Sequence, residues 1–239
     1  MSAKVHKQRR AVAVAIIGLV ISIGMLIQAN LNLPPVDDGD VKGISRVINS
    51  DQPLALDSLK KLIIKGRAPK TGYTRDQFGH GWAKWRKCDT RQRILARDLV
   101  NIELADDGCT VLSGTLNDPY TGRIIEFKRG VGTSSEVQID HVVALADAWQ
   151  KGAQQLDFDT RKILANDDLE LLAVEGEANM KKSDGDAATW LPKNKGFRCQ
   201  YVARQIAIKV KYSLWVTEPE YDVMARVLND CPDERLPAP

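Results

Sequence analysis

The chain has 239 residues, of which 44% are hydrophobic and 27% are charged. This composition excludes an intrinsically disordered chain, and the length excludes two large domains. The formal net charge is +3, but residues 1–28 contain four cations and no acidic residue, so the rest of the chain has a net charge of −1. The body of the protein is therefore not a basic module, and nucleic-acid binding would need local patches.

The N-terminal segment has the pattern of an export signal. The basic stretch MSAKVHKQRR precedes AVAVAIIGLVISIGMLI, residues 11–27, which contains no charged residue. This pattern predicts a signal peptide or an N-terminal membrane anchor in residues 1–28, with the basic flank left in the cytoplasm. No clear small-x-small cleavage site follows, which favours an uncleaved anchor. The remaining chain is expected to be extracytoplasmic, either membrane-anchored or secreted.

The next segments predict a linker and two helices. Residues 29–50 mix prolines, glycines and acidic residues, as linkers do. Residues 52–66 and 89–104 place apolar residues at helical spacing, and Asp89 or Thr90 provides an N-cap for the second helix.

Strand patterns dominate the middle of the chain. Residues 110–128 predict two strands around the turn NDPYTG, and the stretch VQIDH, residues 137–141, predicts a further strand. Helical stretches are expected between residues 146 and 167. The stretch DLELLAV then predicts a short strand, and EGEANMKKSDGDAATWL, residues 175–191, predicts the beginning of another helix.

Two amphipathic helices are predicted at the C-terminus, over residues 199–215 and 217–231. The four cysteines have no CxxC or CxxH spacing, so disulfides are favoured over a zinc site, and four cysteines allow three pairings. Pairing of neighbours in sequence predicts Cys88–Cys109 and Cys199–Cys231. An antiparallel pair of the last two helices would bring Cys199 and Cys231 together.

These elements predict an α+β fold, a helix-rich domain around a small antiparallel sheet. The domain is expected to occupy residues 51–239, with a disulfide-linked pair of helices at its C-terminal end.

The order of several motifs resembles a known enzyme family. DHVVAL ends a predicted strand at Asp140 and His141, and LLAVEGEANMKKSD carries a second strand into a helix with Asn179 and Lys182. This arrangement resembles the HNH, or ββα-metal, endonucleases. Together with WLP, CDTRQRILARDL, LNDPYTG and YVARQIAIKVKYSLWVT, it is similar to the C-terminal nuclease domain of GmrSD-type restriction enzymes and their exported, actinobacterial-like relatives. The resemblance covers most of residues 70–232.

The resemblance implies a role for each residue of the motif. His141 is expected to be the general base that takes a proton from water. Asp140 and Asn179 are expected to bind a divalent cation, Mg²⁺ or Mn²⁺, because both supply hard oxygen ligands. The only other histidines are His6 and His80, which argues against a multi-histidine zinc site.

Three further residues are interpreted less directly. Glu170 stands at the middle position of the motif, where the family usually has asparagine, and it is expected either to fasten the loop that bears the base or to belong to the site. Lys182 is expected to contact phosphate, the alternative being a solvated surface lysine. Arg91, in CDTR, is the arginine expected to face the site. Two basic patches, residues 75–97 and 193–212, could hold a phosphate backbone without sequence selectivity.

The function expected from these features is an exported, metal-dependent endonuclease that cleaves nucleic acid, DNA being favoured, with little sequence preference and no nucleotide cofactor. One alternative is a catalytically degenerate domain that binds nucleic acid or an envelope partner. Another is a hydrolase of cell-wall polymer, for which Asp140 and Glu170 are the available pair of carboxylates.

Overall fold

The computed structural model describes residues 51–238. The predicted signal or anchor segment and the linker lie outside these residues. Within residues 51–238, no helix is long and apolar enough to cross a lipid bilayer.

The helices are α1 (Ala55–Leu59), α2 (Thr90–Asp98), α3 (Leu145–Gln150), α4 (Phe158–Leu164), α5 (Gly176–Lys182), α6 (Arg198–Lys211) and α7 (Glu218–Asn229). The strands are β1 (Lys84–Trp85), β2 (Cys88–Asp89), β3 (Leu99–Leu104), β4 (Val111–Asn117), β5 (Ile124–Lys128), β6 (Val137–His141) and β7 (Leu171–Glu175).

The fold class is α+β, as predicted, because helices surround small antiparallel sheets. β1 pairs with β2, β3–β4–β5 form a three-stranded sheet in that order, and β6 pairs with β7.

The prediction of one helix over residues 89–104 is wrong in its second half. α2 begins after Asp89, which caps it, and ends at Asp98, where β3 begins. The β-branched residues Val100 and Ile102 favour a strand there, and pairing with β4 overrides the helical period.

β6, β7 and α5 form a strand–strand–helix unit. The two strands are antiparallel and in register from Val137 opposite Glu175 to His141 opposite Leu171. α5 begins directly after β7, at Gly176, and contacts both strands. α3 and α4 are inserted between the two strands. The unit therefore brings two chain segments that are distant in sequence into one hydrogen-bonded pair.

The β6–β7 pair lies between two hydrophobic clusters. Leu172 and Val174 belong to the larger cluster, which the C-terminal helices also build. Leu171 and Ala173, on the opposite face of β7, belong to a second cluster formed with α2 and the three-stranded sheet. Because successive residues of a strand point to opposite faces, both faces of this short strand are buried.

The C-terminal helices form the predicted pair. A capping box between Thr217 and Glu220 begins α7, and Pro219 lies in its first turn. A disulfide joins Cys199 in the first turn of α6 to Cys231 after α7, and their Cα atoms are 6.4 Å apart. A second disulfide joins Cys88 in β2 to Cys109 before β4, and their Cα atoms are 5.6 Å apart. Both disulfides have the predicted pairing.

A buried cluster of ion pairs connects the helices. The Lys151 ammonium is fully buried and lies 2.7 Å from each of three carboxylates. One of these carboxylates, Glu220, also completes the capping box of α7. The cluster contains three cations and three carboxylates, so its formal charges balance. Its members are Arg67, Asp147, Lys151, Asp186, Lys209 and Glu220.

We expect Lys151→Met to lower the free energy of unfolding by about 3–5 kcal/mol, because it leaves buried carboxylates without their cation. The matched control is Lys181→Met, since Lys181 forms an exposed ion pair with Glu177. The control should leave the free energy of unfolding nearly unchanged. Urea denaturation of both variants measures the difference, and equal effects of the two substitutions would contradict a structural role for the buried cluster.

Candidate active site

Asp140, His141 and Asn179, the predicted base and metal ligands, line one cavity. Asp140 and His141 end β6, and Asn179 lies on α5, which follows the partner strand. The strand–strand–helix unit therefore brings Asp140, His141 and Asn179 to one cavity, although almost forty positions separate Asp140 from Asn179. The cavity has a volume of about 360 Å³, and its lining residues are Lys70, Tyr73, Arg75, Ile139, Asp140, His141, Ala144, Leu145, Ala146, Asn179, Ser183 and Asp184.

The imidazole of His141 is held from two sides. The Trp82 ring stacks on it, with ring centroids 5.6 Å apart and an angle of 12° between the planes. Nε2 of His141 lies 3.0 Å from the carbonyl oxygen of Ala165. Because a carbonyl only accepts hydrogen bonds, Nε2 carries the proton and Nδ1 of the neutral ring is an acceptor. Burial lowers the pKa of His141 to about 3, and the positive charge of Arg75 acts in the same direction. The ring is therefore neutral at pH 7.

Asp140 is buried and has a partner on each carboxylate oxygen. The ammonium of Lys182 donates to Oδ1 at 3.0 Å, and the hydroxyl of Tyr120 donates to Oδ2. Lys182 also donates to the carbonyl oxygen of His141 at 2.8 Å. Burial raises the pKa of Asp140, and the Lys182 ammonium opposes that shift. Lys182 is thus a buried partner of Asp140 and does not line the cavity.

Asn179 is half-buried at the cavity wall. Its Nδ2 donates to Oε1 of Gln138 at 2.9 Å. This bond fixes the orientation of the amide and leaves Oδ1 of Asn179 as its acceptor atom. Within residues 51–238, that oxygen accepts no hydrogen bond.

The oxygens of Asp140 and Asn179 are of the chemical type that hard divalent cations bind. The carboxylate of Asp140 accepts hydrogen bonds from Tyr120 and Lys182, and the backbone amide of His141 is a further donor to it, whereas Oδ1 of Asn179 retains both of its lone pairs. Carboxylate and amide oxygens are typical ligands of Mg²⁺ and Mn²⁺. Residues 51–238 contain no group of three or more histidine, cysteine, aspartate or glutamate side chains placed to hold a metal ion. The cavity is also lined by a second carboxylate, Asp184, which pairs with Lys70 at 2.9 Å.

Glu170 fastens the chain directly after His141. Its backbone carbonyl accepts a hydrogen bond from the Val142 amide at 2.8 Å, and its Oε2 accepts one from the Val143 amide at 3.3 Å. The side chain is fully buried and lies outside the cavity wall. Burial raises the pKa of Glu170 well above its usual value. The geometry therefore matches the scaffold interpretation of Glu170, and Asp140 and Glu170 do not face each other across the cavity.

The arginine at the site is Arg75 rather than Arg91. Arg91 donates to the carbonyl oxygens of Ser134 and Val137 at 3.1 and 3.0 Å, and so holds the beginning of β6. Arg75 lines the cavity described above and a smaller one between His141 and Trp82. Its sequence context, GYTRDQFG, is typical of a loop and carries no signal for Arg75 beyond its place in the basic patch over residues 75–97.

The second basic patch is not a continuous surface. Lys209 is fully buried in the ion-pair cluster, and Arg204 donates to the carbonyl oxygen of Leu169 at 2.7 Å. Lys211 pairs with Asp167 at 2.6 Å. Several cations of residues 193–212 therefore serve the fold.

Comparison with known proteins gives two matches. A family model described as the C-terminal domain of GmrSD restriction endonucleases matches residues 89–227. A relative from Arthroderma benhamiae, described as an uncharacterized secreted protein, is 34% identical over 175 residues, which cover 72% of this chain and 82% of the relative. No solved structure matches the chain.

We expect Glu170→Gln to raise the free energy of unfolding relative to the wild type, by an amount that grows as the pH rises. A glutamate whose folded-state pKa is raised keeps its proton in the folded protein above pH 4.5, where the unfolded chain has lost it. The free energy of unfolding of the wild type then falls by up to about 1.4 kcal/mol per pH unit relative to the variant. Denaturation of both proteins at pH 4.5 and 7.5 measures this difference, and parallel pH dependences would contradict a protonated Glu170.

Proposed function

Because the chain belongs to the family of the GmrSD restriction endonuclease C-terminal domain, we propose that it is an HNH-type, metal-dependent endonuclease that hydrolyses phosphodiester bonds. DNA is the favoured substrate, with little sequence preference. The observation that carries this proposal is the position of Asp140, His141 and Asn179 on one strand–strand–helix unit, where all three line one cavity.

His141 is the proposed general base. The hydrogen bond from Nε2 to Ala165 leaves Nδ1 as the acceptor atom of the ring, which is the atom that would take a proton from water. Stacking on Trp82 restricts rotation of the ring. A base whose orientation is fixed before the substrate arrives needs little rearrangement during the reaction.

Asp140 and Asn179 are the residues that would hold a divalent cation, Mg²⁺ or Mn²⁺. Held by these two residues, it would supply Lewis-acid stabilisation to the scissile phosphate and its leaving oxygen. Tyr120 and Lys182 position the Asp140 carboxylate. The Gln138 side chain orients the amide of Asn179.

Arg75 is the proposed phosphate contact. It is exposed, it lines both cavities that reach His141, and it forms no ion pair with another residue of the described chain. A guanidinium beside the base can bind the non-bridging oxygens of the phosphate and stabilise their added charge during the reaction.

The proposed location is extracytoplasmic. The relative from Arthroderma benhamiae is described as secreted, and two disulfides are typical of proteins in oxidising compartments. Residues 11–27 would provide the membrane anchor if they are not cleaved. They lie outside the described residues, so the anchor stays a prediction from sequence.

Supercoiled plasmid, incubated with full-length oxidised protein and Mg²⁺ or Mn²⁺, tests the proposal. We expect cleavage that EDTA abolishes and that His141→Ala lowers by at least about a hundredfold, since general-base catalysis contributes about 10²–10⁴-fold. The matched control is His80→Ala, because His80 is an exposed loop histidine paired with Asp76. Cleavage by the His141→Ala variant at the wild-type rate would reject the assigned base. Binding of DNA without cleavage at any metal would favour a catalytically degenerate binding domain.

We expect Arg75→Ala to lower the rate of cleavage by about 10²-fold, because the variant loses a cation that faces the transition-state charge. Arg129→Ala is the control, since Arg129 is an exposed arginine that lines neither cavity at His141. Steady-state rates on plasmid measure both. Equal rates for the Arg75→Ala and Arg129→Ala variants would remove Arg75 from the site.

A further inference from the structure

A short hairpin next to the site carries an exposed tryptophan. β1 and β2 pair with Trp85 opposite Cys88, and Arg86 and Lys87 form the turn between them. Trp85 is 70% exposed, although it is the largest type of apolar side chain. The Cys88–Cys109 disulfide attaches the hairpin to the beginning of β4. The tryptophan ring is therefore presented to solvent from a fixed position.

The hairpin forms one wall of a further cavity, of about 690 Å³, separate from the two at His141. Trp85 and Ile163, which is 61% exposed, supply apolar surface to this cavity. Four cations and three aspartates also line it. The members of this groove are Ala83, Lys84, Trp85, Thr90, Arg93, Asp159, Lys162, Ile163, Asn166, Asp167, Asp168 and Lys211.

The hairpin is also positively charged. Lys84 and Arg86 form no ion pair with any residue among 51–238, and Lys87 adjoins them in the turn. Asp89, the nearest carboxylate in sequence, is engaged in capping α2. An apolar ring flanked by unpaired cations is complementary to a nucleobase with its phosphates.

The groove is connected to the proposed catalytic site through the chain itself. Trp82, three positions before Trp85, stacks on His141. The amide of the intervening Ala83 donates to Oδ1 of Asn166 at 2.9 Å, which fixes this segment against the end of α4. A nucleic-acid strand whose phosphate lies at His141 therefore has the groove beside it.

We propose that the hairpin and its groove bind a single-stranded segment of the substrate, with one unpaired base stacked on Trp85 and the adjoining phosphates beside Lys84 and Arg86. This inference rests on the proposed nuclease function and specifies its substrate. Stacking on an exposed aromatic ring requires an unpaired base, because the bases of a duplex are already stacked on each other. A surface that binds only duplex phosphates needs cations but no such ring.

The test compares single-stranded and duplex DNA of the same sequence. Full-length protein carrying His141→Ala binds a fluorescently labelled oligonucleotide without cutting it, and anisotropy at fixed salt gives the affinity. Adding Trp85→Ala should weaken single-strand binding by about tenfold or more and leave duplex binding within about twofold. Trp85→Phe should restore most of the single-strand affinity. Ile124→Ala, which removes an equally exposed apolar side chain from β5, should change neither affinity.

The outcomes separate this inference from the proposed activity. Equal losses on single-stranded and duplex DNA would show a backbone contact and overturn the inference, as would unchanged binding in the Trp85→Ala variant. Selective loss of single-strand binding would support the inference, whether or not the protein with His141 intact cleaves plasmid. Absence of plasmid cleavage would reject only the proposed nuclease activity.

Discussion

Pairing of β6 with β7 sets the positions of the residues around the cavity. Two short strands lie between two hydrophobic clusters, so every side chain of β7 except the last is buried. The alternation of a strand then places Asp140 and His141 on opposite faces at one end. Asp140 meets Tyr120 and Lys182, whereas His141 meets Trp82. Two residues adjacent in sequence therefore make different contacts, because they lie in different surroundings.

Burial of polar groups is the second feature that organises this protein. An isolated charge in an apolar interior is strongly unfavourable, so each buried charge here has a partner or a shifted pKa. Asp140 has Lys182, Lys151 has three carboxylates, and His141 stays neutral. Such arrangements contribute less net stability than apolar packing of equal volume, but they fix side-chain positions strongly because each alternative position loses a partner.

Much of the fold and the site could be predicted, because the relevant signals are local. The capping box at Thr217, the order of the motifs and the spacing of the cysteines are all visible in the sequence. The strand over residues 99–104 was missed because pairing with a distant strand overrides a helical period. The burial of Lys182 and the place of Arg75 at the cavity also depend on tertiary packing. The sequence pattern of a short helix does not show whether a lysine lies on its solvent-exposed face or is buried against the rest of the domain.

Residues 142–170 are inserted between the two strands, and this insertion affects when the cavity can form during folding. The carboxylate of Asp140 takes its partners from Tyr120, far upstream, and from Lys182, far downstream. The segment after His141 is held in addition by Gln205 of α6, whose Nε2 donates to the Val142 carbonyl at 3.0 Å. Contacts this distant in sequence require the closure of long loops, which slows folding. A chain that has not yet folded as far as α6 therefore lacks the assembled cavity, which forms only once residues on both sides of the insertion have packed together.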